Sequence, residues 1–328
     1  MNSFPVSLRR RHGLALALTL CCSLPVAAQG GFPVRALTLV VPYTAGGASD
    51  IGARMISSEI GRQLGQTVVV DNVGGAAGAL GTLKVVRAPA DGHTLLYGSL
   101  SEALLVPLVN PSAGYRTDDL LPVAYLGGTP VVFVVRPDFP ANTLDELIAL
   151  AKKNPAKYSY GSPGMGTFQH VMGEAFKAKA GVFMLHIPYR GGAQILTDVI
   201  GGQIDIGITS AVNAASFVAN GRLKAIGVSS AARNSAVPKA QPFGESAALK
   251  GVELSTWGIA FVPKGTPDAV VQRLNGAINA ALMTPSNVEA RARLGAELPA
   301  VMSPTQTRAF VSSEQAKYAP IVKSIKFE

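Results

Sequence analysis

Apolar and polar positions along this chain switch repeatedly between the strand period and the helix period. Leu37-Thr38-Leu39-Val40-Val41 is a short, nearly continuous apolar run, the pattern of a strand buried on both faces. Ser49 then offers a helix N-cap. Ile51, Met55, Ile60 and Leu64 follow near helical spacing, and Gly65 ends the segment. Val68-Val69-Val70 predicts a second strand. Residues 74–81 form a Gly-rich turn leading into a helix to about Arg87, and Leu95-Leu96-Tyr97 predicts a third strand. This βαβαβ order predicts a parallel, doubly wound sheet.

A second cycle begins at Val131-Val132-Phe133-Val134-Val135. Thr143 with Glu146 forms a capping box, and Asn154-Pro155 stops the helix it opens. Tyr158-Ser159-Tyr160 predicts a strand, followed by a helix to about Lys179. Met184 to Ile187, Ile204 to Ile208 and Ala225 to Val228 predict further strands, with a helix over Ala193 to Ile200. The chain then passes Pro238, Pro242, Trp257 and Pro263 to a closing helix from about Pro267 to Met283. A last helical stretch lies near Pro304 to Ser324. So many strands predict two α/β lobes rather than one sheet.

The first residues read as an export address. Arg9, Arg10 and Arg11 make a basic start, Leu14 to Val26 is apolar but short for a bilayer, and Val26-Ala27-Ala28 offers the small residues a signal peptidase needs. Residues 1–28 are therefore expected to be a signal peptide, with mature protein starting at Gln29. A membrane anchor would need a longer apolar run. A lipoprotein would need a small residue where Leu20 precedes Cys21. The arginine run also resembles a twin-arginine signal, so both general and twin-arginine export stay open. No apolar stretch beyond residue 28 approaches a membrane span.

Cleavage changes the composition in a useful way. It takes three arginines from 29 basic residues set against 20 acidic ones, so the net charge falls from +9 to +6. Cys21 and Cys22 leave with the signal, and a mature chain of this length needs no disulfide to hold a core. No thiolate nucleophile or cysteine metal site is then available. His93, His170 and His186 lack metal-ligand spacing, so no metal and no cofactor is expected. The basic excess is spread along the chain without interleaved aromatics, which argues against nucleic acid and fits mild attraction for anions.

Three Gly-bearing polar loops carry the candidate chemistry. They run from Val41 to Asp50, from Tyr160 to His170, and from His186 to Gly192. The first two follow strand-like runs and open helix-like ones, where free backbone N–H groups can cradle an anion. Ligands in open α/β sheets bind beyond the carboxyl ends of strands, where these loops lie. The candidate binding residues are Tyr43, Thr44, Ala45, Gly46 and Gly47 in the first loop. Ser162, Gly164, Gly166, Thr167 and His170 belong to the second, and Tyr189 and Arg190 to the third. Asp50 reads better as a cap of its own helix than as a ligand contact. His170 could donate to a carboxylate or tether its loop, and Arg190 could attract an anion or lie solvated. Asp205 could receive an ammonium group or pin a turn.

At these loops the chain resembles the periplasmic substrate-binding proteins of tripartite tricarboxylate transporters, the Bug family. Val41 to Asp50 meets the pattern V-P-[FY]-x-x-G-G-x-x-D. Tyr160 to His170 is similar to Y-x-S-x-G-x-G-[ST]-x-x-H, and His186 to Gly192 to [HV]-[IV]-P-Y-[KR]-G-[GS]. Asp198 to Asp205 resembles D-[LI]-x-x-G-x-[IV]-D. Pro89 to Leu95 resembles A-x-P-D-G-Y-T-L, with His93 in place of Tyr. Asn72 to Gly81 resembles N-[KR]-P-G-A-G-G-x-I-G, but Val73 and Gly74 replace its basic residue and proline. Trp257-Gly258 and Pro263 to Pro267 match two late segments.

The resemblance covers essentially the whole mature chain. It implies a two-lobed, type II-like Venus-flytrap fold, each lobe a mostly parallel sheet flanked by helices. Lobe 1 would hold residues 29–127 and 254–328, and lobe 2 residues 128–253. It implies a monomeric periplasmic protein that captures a small organic acid and delivers it to membrane transporter subunits. The carboxylates would be held mainly by backbone N–H groups, hydroxyls and water, not by an Arg fork. A sensor reporting occupancy to a membrane signalling protein would use the same site. A hydrolase would need a different one. No G-x-S-x-G elbow, H-E-x-x-H, Walker A or clean Rossmann fingerprint appears, which leaves it only a Ser162–His170 pair whose geometry the spacing does not specify.

Overall fold

The computed structural model describes Met1, residues 31–250 and residues 256–324; the rest of the expected signal segment lies outside them. The chain opens with β1 (Leu37–Val41), α1 (Ala48–Leu64), β2 (Val68–Asn72), α2 (Ala79–Val86), β3 (Thr94–Ser99), α3 (Val106–Val109) and β4 (Leu120–Gly128). It continues through β5 (Val131–Val135), α4 (Leu144–Lys153), β6 (Ser159–Ser162), α5 (Phe168–Ala180), β7 (Leu185–Pro188) and α6 (Gly192–Ile200). Then come β8 (Ile206–Ser210), α7 (Ala211–Ala219), β9 (Lys224–Val228) and β10 (Gln241–Pro242). It closes with β11 (Trp257–Pro263), α8 (Asp268–Leu282), α9 (Pro285–Arg293) and α10 (Pro304–Ser324).

Two sheets result, ordered β2-β1-β3-β11-β4 and β10-β9-β5-β8-β6-β7. Each is parallel apart from one reversed strand: β11 in the first and β5 in the second. Those two strands are where the chain changes sheets. Val131 enters the second sheet opposite Ser210, the carboxyl end of β8, and Gly258 enters the first opposite Ser99, the carboxyl end of β3. A strand entering at its neighbours' carboxyl edge must run against them. The crossings therefore place the carboxyl edges of both sheets on the same side, and the loops that follow the strands converge there.

Local sequence explains most elements. All five residues of β5 are buried, as expected of an apolar run covered on both faces. Thr143 Oγ1 accepts the amide of Glu146 at 3.1 Å, and the Glu146 carboxylate accepts the amide of Asn142. Gly65 stops α1 in the left-handed region, at φ 70°, and donates its N–H to Gly61. Ser49 is not the cap of α1, however. The helix starts two residues earlier, with Gly47 at the N-cap, and Asp50 reaches back to accept the Gly46 amide at 2.9 Å.

The two sheets are tied by shared packing. One core cluster combines Leu96, Leu104 and Phe261 with Phe133, Phe168 and Phe176. Trp257 on β11 is buried and donates its indole N–H to Glu314 of α10 at 2.9 Å, while Tyr318 of the same helix meets Phe168 edge-on. Among the described residues no helix is long and apolar enough to cross a membrane.

Candidate functional site

Helices α1, α5, α6 and α7 all begin at the edge where the sheets face each other. Two of them are closed by their own side chains. Thr167 Oγ1 accepts from the His170 amide at the start of α5, and Ser210 Oγ accepts from the Asn213 amide at the start of α7. The other two, α1 and α6, have glycines at the N-cap, Gly47 and Gly191, with no side-chain acceptor. A helix start without a side-chain cap leaves donors for a ligand and presents the positive end of the helix dipole. One of these starts belongs to each sheet.

They face one cleft. Its wall includes Gly47, Ala48 and Ser49 of α1, Gly192 of α6 and Asn213 of α7, and its empty space is about 960 Å³, open solvent included. The two uncapped loops nearly touch across it: a Cβ built on Gly191 would collide with Thr44 Oγ1. Thr44, Ala45 and Gly46 are exposed at the cleft mouth, and Gly46 holds φ +80°, a conformation natural to glycine.

Tyr43 lines the cleft and is fixed from below. Its hydroxyl donates to Glu102 Oε2 at 2.8 Å, and the Ser99 amide and hydroxyl also donate to that carboxylate. Glu102 is fully buried in a π-turn, Ser101–Leu105, that follows β3. Burial pushes its carboxyl up to about 7, against the lowering effect of the Ser99 and Tyr43 hydrogen bonds. Burial, then the Glu102 charge, raises the Tyr43 phenol well above its usual value.

The second loop is mostly satisfied within itself. Ser162 is fully buried and its Oγ lies 2.7 Å from His186 Nε2, so His186 rather than His170 is its imidazole partner. Thr167 Oγ1 donates to the Gly164 carbonyl at 2.7 Å, and His170 Nδ1 accepts the Gly166 amide at 3.0 Å. His170 thus tethers its own loop. The loop reaches the cleft through Pro163 and Gln169, and elsewhere it meets the segments that follow β2 and β3. A Cβ on Gly164 would stand 3.0 Å from Ala77, one on Gly166 would stand 3.3 Å from Val109, and the Phe168 amide donates to Ser101 Oγ at 2.9 Å.

In the third loop the Tyr189 hydroxyl donates to Asp198 at 2.8 Å, and Arg190 is exposed. Asp205 lies away from the cleft wall. It accepts the Ser159 amide at 2.8 Å and the Ser159 hydroxyl at 3.1 Å, tying the start of β6 to that of β8.

The stacked His170 and His186 rings, 4.0 Å between centroids, give the second loop a pH signature. Burial lowers His170 to about 4 and His186 to about 3, and for His186 the neighbouring imidazole adds to the effect. A base held below its unfolded pKa of about 6.5 contributes stability fully above that value. That contribution is lost as the pH falls through 6.5 towards the folded pKa. Melting temperatures of the wild type should therefore drop between pH 7 and 4 more steeply than those of His186→Gln. Parallel curves would show that the pair carries no such linkage.

Several cleft residues escape the sequence reading. Ser99 ends β3 and Ser101 follows it in the segment Tyr97-Gly98-Ser99-Leu100-Ser101, whose Gly/Ser pattern at a strand end is the signal used for the other loops. Asn213 and Arg291 carry no such signal. Each is a polar residue on an otherwise ordinary helix, brought to the cleft by the packing of that helix.

Comparison with known proteins agrees with this architecture. Residues 52–327 match the model of the tripartite tricarboxylate transporter family receptor. A protein from the tcbD-tcbE intergenic region of Pseudomonas sp. strain P51 is 39% identical over 290 residues, 88% of this chain and 86% of that one. Among solved structures, the periplasmic binding protein BugD is 33% identical with a TM-score of 0.84, covering 89% of this chain and 98% of its own. MatC from Rhodopseudomonas palustris, solved with bound malate, is 30% identical with a TM-score of 0.84, covering 89% and 100%. The family is one of solute-binding receptors rather than enzymes, and the solved neighbours include periplasmic binding proteins. By its family match and its fold, the chain belongs to the tripartite tricarboxylate transporter receptors.

Proposed function

We propose that this chain is a periplasmic receptor that closes two lobes on a small organic acid and hands it to a membrane transporter. Lobe 1 comprises residues 29–127 and 254–328, and lobe 2 residues 128–253. The observation that carries the reading is the pair of uncapped helix starts, α1 and α6, facing one cleft from opposite sheets. Backbone donors at both starts suit a carboxylate, with the Ser49 and Asn213 side chains in the same wall. Hydrogen bonds to a charged group contribute about 1.5–3 kcal/mol each, so four or five reach the roughly 8 kcal/mol of micromolar binding after ordering costs. The malate bound to MatC belongs to the expected ligand class.

Native mass spectrometry of protein purified without refolding, followed by calorimetric titration of a carboxylate panel, tests this reading. A co-purifying acid and at least one micromolar ligand are expected. Saturable binding of neutral sugars or peptides, with no acid bound, would sink it.

A further inference from the structure

Arg291, in the last turn of α9, lines the same cleft beside Leu294, Leu126 and Met55. It is buried, at 6% exposure. Its Nη1 donates to the Glu297 backbone carbonyl at 3.0 Å, and its buried Nε–H has no acceptor. Among the described residues it forms no ion pair. On the sheet beside it lies the buried phenol of Tyr97, whose ionisation burial disfavours and the Arg291 charge favours. A guanidinium taken out of water without an anion is costly, and such sites are completed by a bound charge.

The cleft wall thus carries two chemically distinct kinds of group. The α1 and α6 starts offer neutral backbone donors. The same wall carries the apolar side chains of Ile51, Met55 and Leu126 and, among its lining residues, one buried guanidinium, that of Arg291. We infer that Arg291 receives the second carboxylate of an extended dicarboxylate whose first carboxylate sits at the α1 and α6 starts, and so sets a preference for dianionic over monoanionic ligands. This rests on the carboxylate-receptor reading above and adds to it a specificity residue outside the Gly-rich loops. The fork geometry matters, because a guanidinium can grip a carboxylate with two parallel hydrogen bonds and an ammonium cannot.

The test is calorimetric titration of succinate, glutarate and adipate against butyrate, valerate and hexanoate, on wild type, Arg291→Gln and Arg291→Lys. Wild type should prefer the best diacid over the monoacid of equal length by about tenfold or more, the worth of one charge-assisted pair. Arg291→Gln should bring that ratio near one while monoacid affinity stays within a few fold, and Arg291→Lys should fall between. A preference that persists in a folded Arg291→Gln variant overturns the assignment, as does a loss of affinity equal for both acid series. If Arg291→Gln fails to fold, Arg291→Lys decides, and an unchanged ratio there overturns the proposal. Acids of neither series binding to wild type would instead refute the carboxylate reading itself.

Discussion

Gly191→Val should weaken carboxylate binding by a hundredfold or more while the ligand-free protein melts within a few degrees of wild type. The backbone of Gly191 is extended, with φ 174°, so valine brings no conformational strain there. Its side chain would instead strike Thr44 Oγ1 on the opposite loop and hold the two lobes apart. The α6 start would then stay out of reach of an acid seated at the α1 start. Losing two hydrogen bonds to a charged group costs about 3–6 kcal/mol, and each 1.4 kcal/mol is tenfold in affinity. Gly46→Val makes a useful contrast. Nothing lies within 4 Å of a Cβ at that position, but φ +80° strains any side chain, so its effect should fall on the local loop rather than on closure. Titration calorimetry with the tightest acid of the panel, alongside thermal melts, checks both. Near-normal affinity in Gly191→Val would show that the α6 start is not a binding element.

Glu102→Leu should be the most destabilising single change at the cleft floor, by about 2–4 kcal/mol. It strands three donors that now converge on the carboxylate: the Ser99 amide, the Ser99 hydroxyl and the Tyr43 hydroxyl. Each buried donor left unpaired costs roughly 1–3 kcal/mol. The loss is offset in part because burying the carboxylate itself is unfavourable, which is why its pKa stands at about 7. That elevation also fixes the pH dependence. A carboxyl raised above its unfolded value binds its proton more tightly in the folded state, so its contribution is complete below about 4.5 and is lost as the pH rises to 7. The stability advantage of wild type over Glu102→Gln should therefore be larger at pH 5 than at pH 8. Denaturant unfolding of both proteins at the two pH values measures it. An equal difference at both would mean that Glu102 titrates normally.

Much of the fold was legible along the chain because those elements rest on local rules. The apolar run of β5, the Thr143 cap of α4 and the Gly65 stop of α1 each arise from residues within a few positions of one another. Strands β4 and β11 were not legible. Each contains proline and glycine, and β11 becomes an internal strand and β4 an edge strand only through long-range pairing, β11 lying between β3 and β4, the latter some 130 residues away in the chain. Helices α7 and α9 were missed for a similar reason: α7 is a short stretch of small residues, and α9 is largely polar.

The site divides along the same line. Gly-bearing loops after strands can be read in sequence, because a close backbone approach demands glycine wherever it occurs, and they marked the uncapped start at Gly47. The second cradle was expected in the loop from Tyr160 to His170, whereas the other uncapped start is at Gly191, in the third loop. Which donors stay free could not be read there. Ser162 and Thr167 look like ligand hydroxyls in the sequence, yet folding commits one to His186 and the other to Gly164. Asp205 is committed to Ser159 in the same way. Conversely, Glu102 and Arg291 look like ordinary charged helix residues until the tertiary structure buries them beside the cleft. The sequence by itself determined the alternation of strands and helices and the backbone turns that only glycine fits. The tertiary structure decided which polar groups satisfy one another and which remain for a ligand, because hydrogen bonding and desolvation depend on neighbours that the chain order does not place together.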